Sequence, residues 1–129
     1  VNKNWPHESL IRFTQNDYGR EIGIAAIGLP PGPTVMMGVG RLVMTPERDA
    51  AEFAVIVADP WQGERLGLKL IERVIQIAKE NGVRTLSGDV LAENRPMLGL
   101  VKKMGFNFLR PEEGTCRVEL DLASRTGAT

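Results

Sequence analysis

Two neighbouring stretches hold the residues whose types and spacing could do chemistry. A lone carboxylate sits inside the apolar run Ala51-Glu52-Phe53-Ala54-Val55, and a glycine-bearing junction follows at Asp59-Pro60-Trp61-Gln62-Gly63-Glu64-Arg65-Leu66-Gly67-Leu68. Partial burial lifts a glutamate above its ordinary pKa of about 4.3, toward the range in which it can take a proton from a substrate. That makes Glu52 a candidate base; the other reading is a strand-end glutamate facing solvent just after the Asp49-Ala50 turn. The second stretch carries a buried strand through a short turn to glycines at a helix start. The first N–H groups of a helix lack partners within it, and the macrodipole adds partial positive charge there. Glycine leaves the backbone bare enough for an anion to approach. The junction suits a phosphate or pyrophosphate, although Gly63 and Gly67 equally suit a plain turn and a tightly packed helix start.

Two other phosphate loops are excluded by spacing. A Walker loop needs four residues between its glycines and then Gly-Lys-Ser/Thr, whereas Gly63 and Gly67 have three between them and Gly67 is followed by Leu68-Lys69. Gly38-Val39-Gly40 has Val43 where a dinucleotide fingerprint needs its third glycine. The single histidine, His7, and the single cysteine, Cys116, leave no ligands for a Cys/His zinc site and argue against a Ser-His-Asp triad. We therefore expect no metal. One cysteine also excludes an intrachain disulfide and fits a reducing, cytoplasmic setting. Sixteen basic residues balance sixteen acidic ones, so no net field points to nucleic acid or an anionic membrane. No apolar run approaches the roughly 18 residues of a spanning helix. Cys116 reads as a small core residue, Asp89 as surface-facing before it reads as an acid or base, and Tyr18 as packing before groove-lining.

The elements that must position these residues follow from periodicity. Glu21 to Leu29 reads as a strand ended by Pro30-Pro31-Gly32-Pro33, a hairpin loop, with Thr34 to Met44 as its return. Ala51 to Ala58 is nearly all apolar and is expected to be a central strand covered on both faces. Leu66, Leu70, Val74 and Ile77 then recur at helical spacing, widened by Ile71, Ile75 and Ala78, with Asn81-Gly82 as the stop. Thr85 to Leu91 is a strand and Asn94 to Met104 a helix, with Asn94 placed to cap it ahead of Pro96. Phe106 to Leu109 and Thr115 to Leu122 close the chain as a pair of strands. The segment Ser9 to Gln15 leaves a helix end or a short linker open. One mixed α/β domain results, in the order β-β-β-α-β-α-β-β.

Gln62-Gly63-Glu64-Arg65-Leu66-Gly67 resembles the Arg/Gln-x-x-Gly-x-Gly/Ala signature of the GNAT acetyltransferase superfamily, which cradles the pyrophosphate of coenzyme A. Glu93-Asn94-Arg95-Pro96-Met97-Leu98 and Lys102-Lys103-Met104-Gly105-Phe106 are similar to the family's later helix and its closing Gly-Phe. More narrowly, Gly38-Val39-Gly40-Arg41, Ala51-Glu52-Phe53-Ala54-Val55 and Asp59-Pro60-Trp61-Gln62-Gly63 resemble bacterial protein lysine acetyltransferases of the Pat type, in which the domain is joined to one like an acyl-CoA synthetase. The resemblance implies a GNAT fold over residues 18–122. It makes residues 1–17 a remnant or linker of a longer protein, the family's first strand and helix missing or shortened, and residues 123–129 a disordered tail.

The activity implied is transfer of an acetyl group from acetyl-CoA to a primary amine, with a protein lysine as acceptor. A small-molecule amine, or an acyl-CoA sensor module serving a fused synthetase, is the alternative. In this reading Glu52 is the base and the N–H groups of Val55, Ile56 and Val57 serve the oxyanion where the sheet splays. Gln62, Gly63, Glu64, Arg65, Leu66, Gly67 and Leu68 hold the pyrophosphate. Asn94 and Met97 lie along the pantetheine arm, a residue such as Met97 being more often core than ligand contact. Two departures stand out. Arg65 replaces the signature's central glycine, where it either pairs with a phosphate or crowds the cradle. Val101 stands seven residues after Asn94, where many relatives carry a tyrosine acid.

Overall fold

Short apolar runs joined by tight polar turns favour strands that pair with their immediate neighbours, and the first half of the chain does this throughout. The computed structural model describes residues 7–14, 20–29, 35–58, 66–109 and 113–123. Strands β1 (His7–Thr14), β2 (Glu21–Leu29), β3 (Met36–Met44) and β4 (Ala50–Val57) form a meander; β5 (Thr85–Leu91), β6 (Asn107–Phe108) and β7 (Thr115–Asp121) complete a seven-stranded sheet ordered β1-β2-β3-β4-β5-β7-β6. Its neighbours pair antiparallel except β4 with β5, which run parallel. The connection between those two is helix α1 (Leu66–Glu80), the crossover a parallel pair requires. Helix α2 (Arg95–Lys103) links β5 to β6.

Strand β1 stands where the sequence left a helix end or a short linker open at Ser9 to Gln15, and it joins the sheet ahead of residue 18. His7 to Thr14 pairs with β2 from His7–Leu29 to Thr14–Ile22. Leu10, Ile11 and Phe13 alternate too briefly to signal a strand alone; pairing along the whole of β2 decides the conformation. The observed order is thus β-β-β-β-α-β-α-β-β.

Helix α1 matches its apolar stripe: Leu66, Leu70, Ile71, Val74, Ile75, Ile77 and Ala78 are all buried. It lies on the sheet where β3 has glycines. A Cβ at Gly38 would stand 2.9 Å from the Ile56 carbonyl oxygen and 3.0 Å from Leu70, and one at Gly40 would stand 3.2 Å from Val74. The helix ends where expected, Gly82 taking φ +80° and Asn81 donating from its side chain to the Ile77 carbonyl.

The second correction concerns β4. Along Ala50–Val57 burial alternates, with Ala51 and Phe53 inside and Glu52, Ala54 and Ile56 exposed. Only the face toward α1 is covered, and Ile56 is 69% exposed. Alanine and valine supply apolar sequence without demanding burial, so composition overstated the coverage. The other face carries Arg41, Val43, Glu52, Ile56, Asp89 and Leu91, all exposed. Cys116 is half-buried, opposite Val90 in the β5–β7 ladder.

Among the described residues no helix is long and apolar enough to cross a membrane, and no group of three His, Cys, Asp or Glu side chains could hold a metal ion.

Candidate functional site

Strand β4 has two neighbours but keeps only one of them to its end. Its ladder with β3 runs from Ala51–Met44 to Val57–Gly38, and the amide of Ala58 extends it by donating to the Met37 carbonyl at 2.9 Å. Its ladder with β5 covers only Ala50–Thr85 to Phe53–Gly88. Beyond Phe53 the parallel pair forks, although both strands continue, to Val57 and Leu91. Alternate backbone groups of a strand point to each side, so Ala54 to Val57 line the gap that β5 leaves.

The start of α1 stands beside the end of β4. A Cβ placed on Gly67 would lie 3.5 Å from Met97 Cε, 3.8 Å from Leu100 Cδ2 and 3.9 Å from Val57 Cγ2. The first turn of α1, the last residue of β4 and the first turn of α2 therefore converge, bringing together Val57, Gly67 and Met97 from the sequence-derived set. Leu66 is 1% exposed and belongs to the core, which leaves its backbone alone for any ligand. Leu68 and Val55 are half-buried and Ile56 is exposed. Gln62, Gly63, Glu64 and Arg65 lie outside the described residues, as does Tyr18.

Asn94 caps α2. Its side-chain oxygen accepts from the Met97 amide at 3.3 Å, and Pro96 occupies the first turn, where its missing N–H costs nothing. Met97 is half-buried and packs on the core. Val101 is fully buried, and its carbonyl accepts from the Phe106 amide, so its side chain has no access to a reacting group.

Glu52 is on β4, just before the fork, on the exposed face. Its side chain is 59% exposed, so the partial burial expected from the apolar run is absent: the flanking Ala51 and Phe53 point to the other face. What surrounds Glu52 instead is charge. Arg117 of β7 grips its carboxylate with both terminal nitrogens, Nη1 donating to Oε1 at 3.3 Å and Nη2 to Oε2. The same Nη1 is 3.3 Å from Oδ1 of Asp89 on β5. The Glu52 hydrogen bond is the main cause holding the Arg117 guanidinium above the ordinary arginine range; burial comes next and works against it, and Asp89 adds to it. Asp89 is thus surface-facing, as read from sequence, but ion-paired. Arg117 was not singled out in the sequence. It lies 65 residues from Glu52, and only the strand order β4-β5-β7 brings it near.

A shallow depression of about 300 Å³ lies elsewhere, between Leu10 and the α1 residues Lys69, Glu72, Arg73 and Gln76. It touches neither Glu52 nor the fork, and its open, charged walls are those of a surface groove.

The model of a family described as Acetyltransferase (GNAT) family matches residues 2–106. Acetyltransferase PA5475 of Pseudomonas aeruginosa is 31% identical over 100 residues, which cover 77% of this chain and 54% of that protein. The chain thus spans about half the length of that curated relative. The crystal structure of the GNAT domain of S. lividans PAT is 28% identical with a TM-score of 0.69, covering 84% of this chain and 65% of that one. The structure of yncA from Salmonella typhimurium with its cofactor acetyl-CoA has a TM-score of 0.65 at 20% identity, covering 79% of this chain and 65% of that one, a likeness of fold.

Proposed function

The chain belongs to the acetyltransferase (GNAT) family, and from that premise we propose that it transfers an acetyl group from acetyl-CoA to the ε-amine of a protein lysine. The observation that carries this reading is the fork between β4 and β5, with the start of α1 at its edge and a carboxylate on the strand that forms it. The residues fit the donor. The helix start at Leu66 and Gly67 offers amide hydrogens and partial positive charge to a pyrophosphate, and Gly67 keeps a side chain out of the space between Val57 and Met97. Gln62, Gly63, Glu64, Arg65 and Leu68 complete the anion cradle in this proposal, and Asn94 and Met97 flank the pantetheine arm. Acetyl-CoA supplies an activated acyl group on a thiol, a leaving group of pKa about 8.5 that needs little help from an acid. The burial of Val101 accords with a mechanism that uses none from α2.

An amine attacks only when neutral, so a lysine ammonium must first lose a proton. Glu52 takes it. Its exposure, on the sheet face opposite α1, supports a base that meets an acceptor arriving from solvent. The N–H groups of Val55 and Val57, which alternation turns toward the fork, oppose the negative charge that develops on the carbonyl oxygen, whereas that of Ile56 turns toward β3 as the Ala58 amide does. The lysine acceptor rests on the sequence motifs shared with Pat-type enzymes, and a joined synthetase-like region belongs to the same proposal.

The test is thiol release from acetyl-CoA by the purified chain, with lysine peptides and with polyamines and amino acids as acceptors. Saturable release that requires a lysine peptide is expected. Release with the small amines alone would replace the protein acceptor. No release with any amine, despite saturable binding of acetyl-CoA, would convert the reading to that of a sensor.

A further inference from the structure

Across the exposed face, the strand order sets β7 two strands from β4, a distance of about 10 Å at ordinary strand spacing. Arginine is long enough to span it, and Arg117 does so at a favourable point. Between it and Glu52 the β5 residue on this face is Ser87, paired with Glu52 on one side and Glu119 on the other, and small enough to let the guanidinium pass. The grip on Glu52 is two-pronged, and Asp89 holds the Arg117 fork from the side. The other charged groups facing Glu52 from neighbouring strands are Arg41 of β3, which is occupied by Glu21 of β2, and Glu119 of β7. With Arg117 removed, the remaining groups near Glu52 on the β5 and β7 side are acidic.

We infer that Arg117 is a positioning residue for the acyl transfer, fixing the Glu52 carboxylate in one orientation at the mouth of the fork, with Asp89 steadying Arg117 in turn. This deepens the proposed function and rests on Glu52 being the base. A two-bond grip restricts a carboxylate in a way that a single ammonium does not. The side chains are partly exposed, 33% for Arg117 and 59% for Glu52, and exposed pairs add little to stability. The purpose of the arrangement is therefore better sought in orientation than in holding β4 to β7, which β5 already does through its ladders.

The experiment is a double-mutant cycle on the whole chain, assayed with acetyl-CoA and a lysine peptide. Arg117→Ala is expected to lower kcat about tenfold with the KM for acetyl-CoA unchanged, and Arg117→Lys about threefold. Glu52→Gln with Arg117→Ala is expected to be no slower than Glu52→Gln alone, because Arg117 acts only through the carboxylate. Melting temperatures should move by less than about 2 °C. Unchanged kcat in Arg117→Ala, or losses that multiply in the double variant, would overturn the role of Arg117 while leaving that of Glu52 intact. Unchanged kcat in Glu52→Gln alone would remove the base itself, and this proposal with it. If Arg117→Ala does not fold, the Lys variant alone and combined with Glu52→Gln gives the same cycle.

Discussion

Glu52→Gln is expected to lower kcat about 100-fold or more while the KM for acetyl-CoA changes by less than about twofold. Glutamine keeps the length and planarity of glutamate but cannot take a proton. The change is sited away from the proposed donor site: Glu52 precedes the fork and is on the exposed face, whereas the proposed cradle begins beyond Val57 at the start of α1. It also spares the fold, since the pair with Arg117 is partly exposed and such pairs add little to stability. A variant that lost donor binding and turnover to the same degree would contradict the assignment, as it would mean that Glu52 shapes the site rather than moving a proton. Steady-state kinetics with each substrate varied in turn, together with a melting curve, separates these outcomes.

The largest effect on stability is expected at Gly88, the last β5 residue paired with β4. A Cβ there would lie 2.5 Å from Phe53 Cε1 and 2.8 Å from two further ring atoms. The Phe53 ring is 6% exposed and rests against Phe106 with centroids 5.5 Å apart, so it has nowhere easy to go. Overpacking of this kind costs about 1–3 kcal/mol. Gly88→Ala should therefore lower the melting temperature by roughly 4–12 °C. Gly67→Ala is the control. Its Cβ would find only ordinary contacts, 3.5 Å to Met97 being the nearest, and alanine is the better helix former by up to about 1 kcal/mol. A melting curve should show Gly67→Ala unchanged or higher. Gly88→Ala matching the parent would mean that the Phe53 ring is free to move. Because Phe53 neighbours Glu52 and is the last rung before the fork, Gly88→Ala should also slow turnover.

What the sequence made legible, and what it did not, divides along physical lines. The seven apolar residues of α1 recur with a helix's own period and face one sheet, so local pattern and burial agree. Gly82 and Asn94 act through local chemistry, a left-handed turn and a cap, and both were readable. Strand β1 was not, because its apolar alternation is short and its conformation comes from pairing with β2. The exposed face of β4 was misread for a related reason: Ala54 and Ile56 look like core until one knows that helix α1 covers only the other side. Where the β4–β5 ladder stops depends on contacts 35 residues apart in the chain, as Phe53–Gly88 is its last rung. Arg117 is a similar case, an ordinary basic residue in a strand until topology sets it beside Glu52.

The most direct measurement is an amide chemical-shift titration of the isotopically labelled chain with acetyl-CoA. Binding in the fork predicts saturable shifts at Ala54 to Val57, at Leu66 and Gly67, and at Met97, with the amides of β1 and β2 unmoved. Shifts confined to other surfaces, such as the groove between Leu10 and Lys69, or no shifts at millimolar acetyl-CoA, would contradict a coenzyme site between β4 and β5.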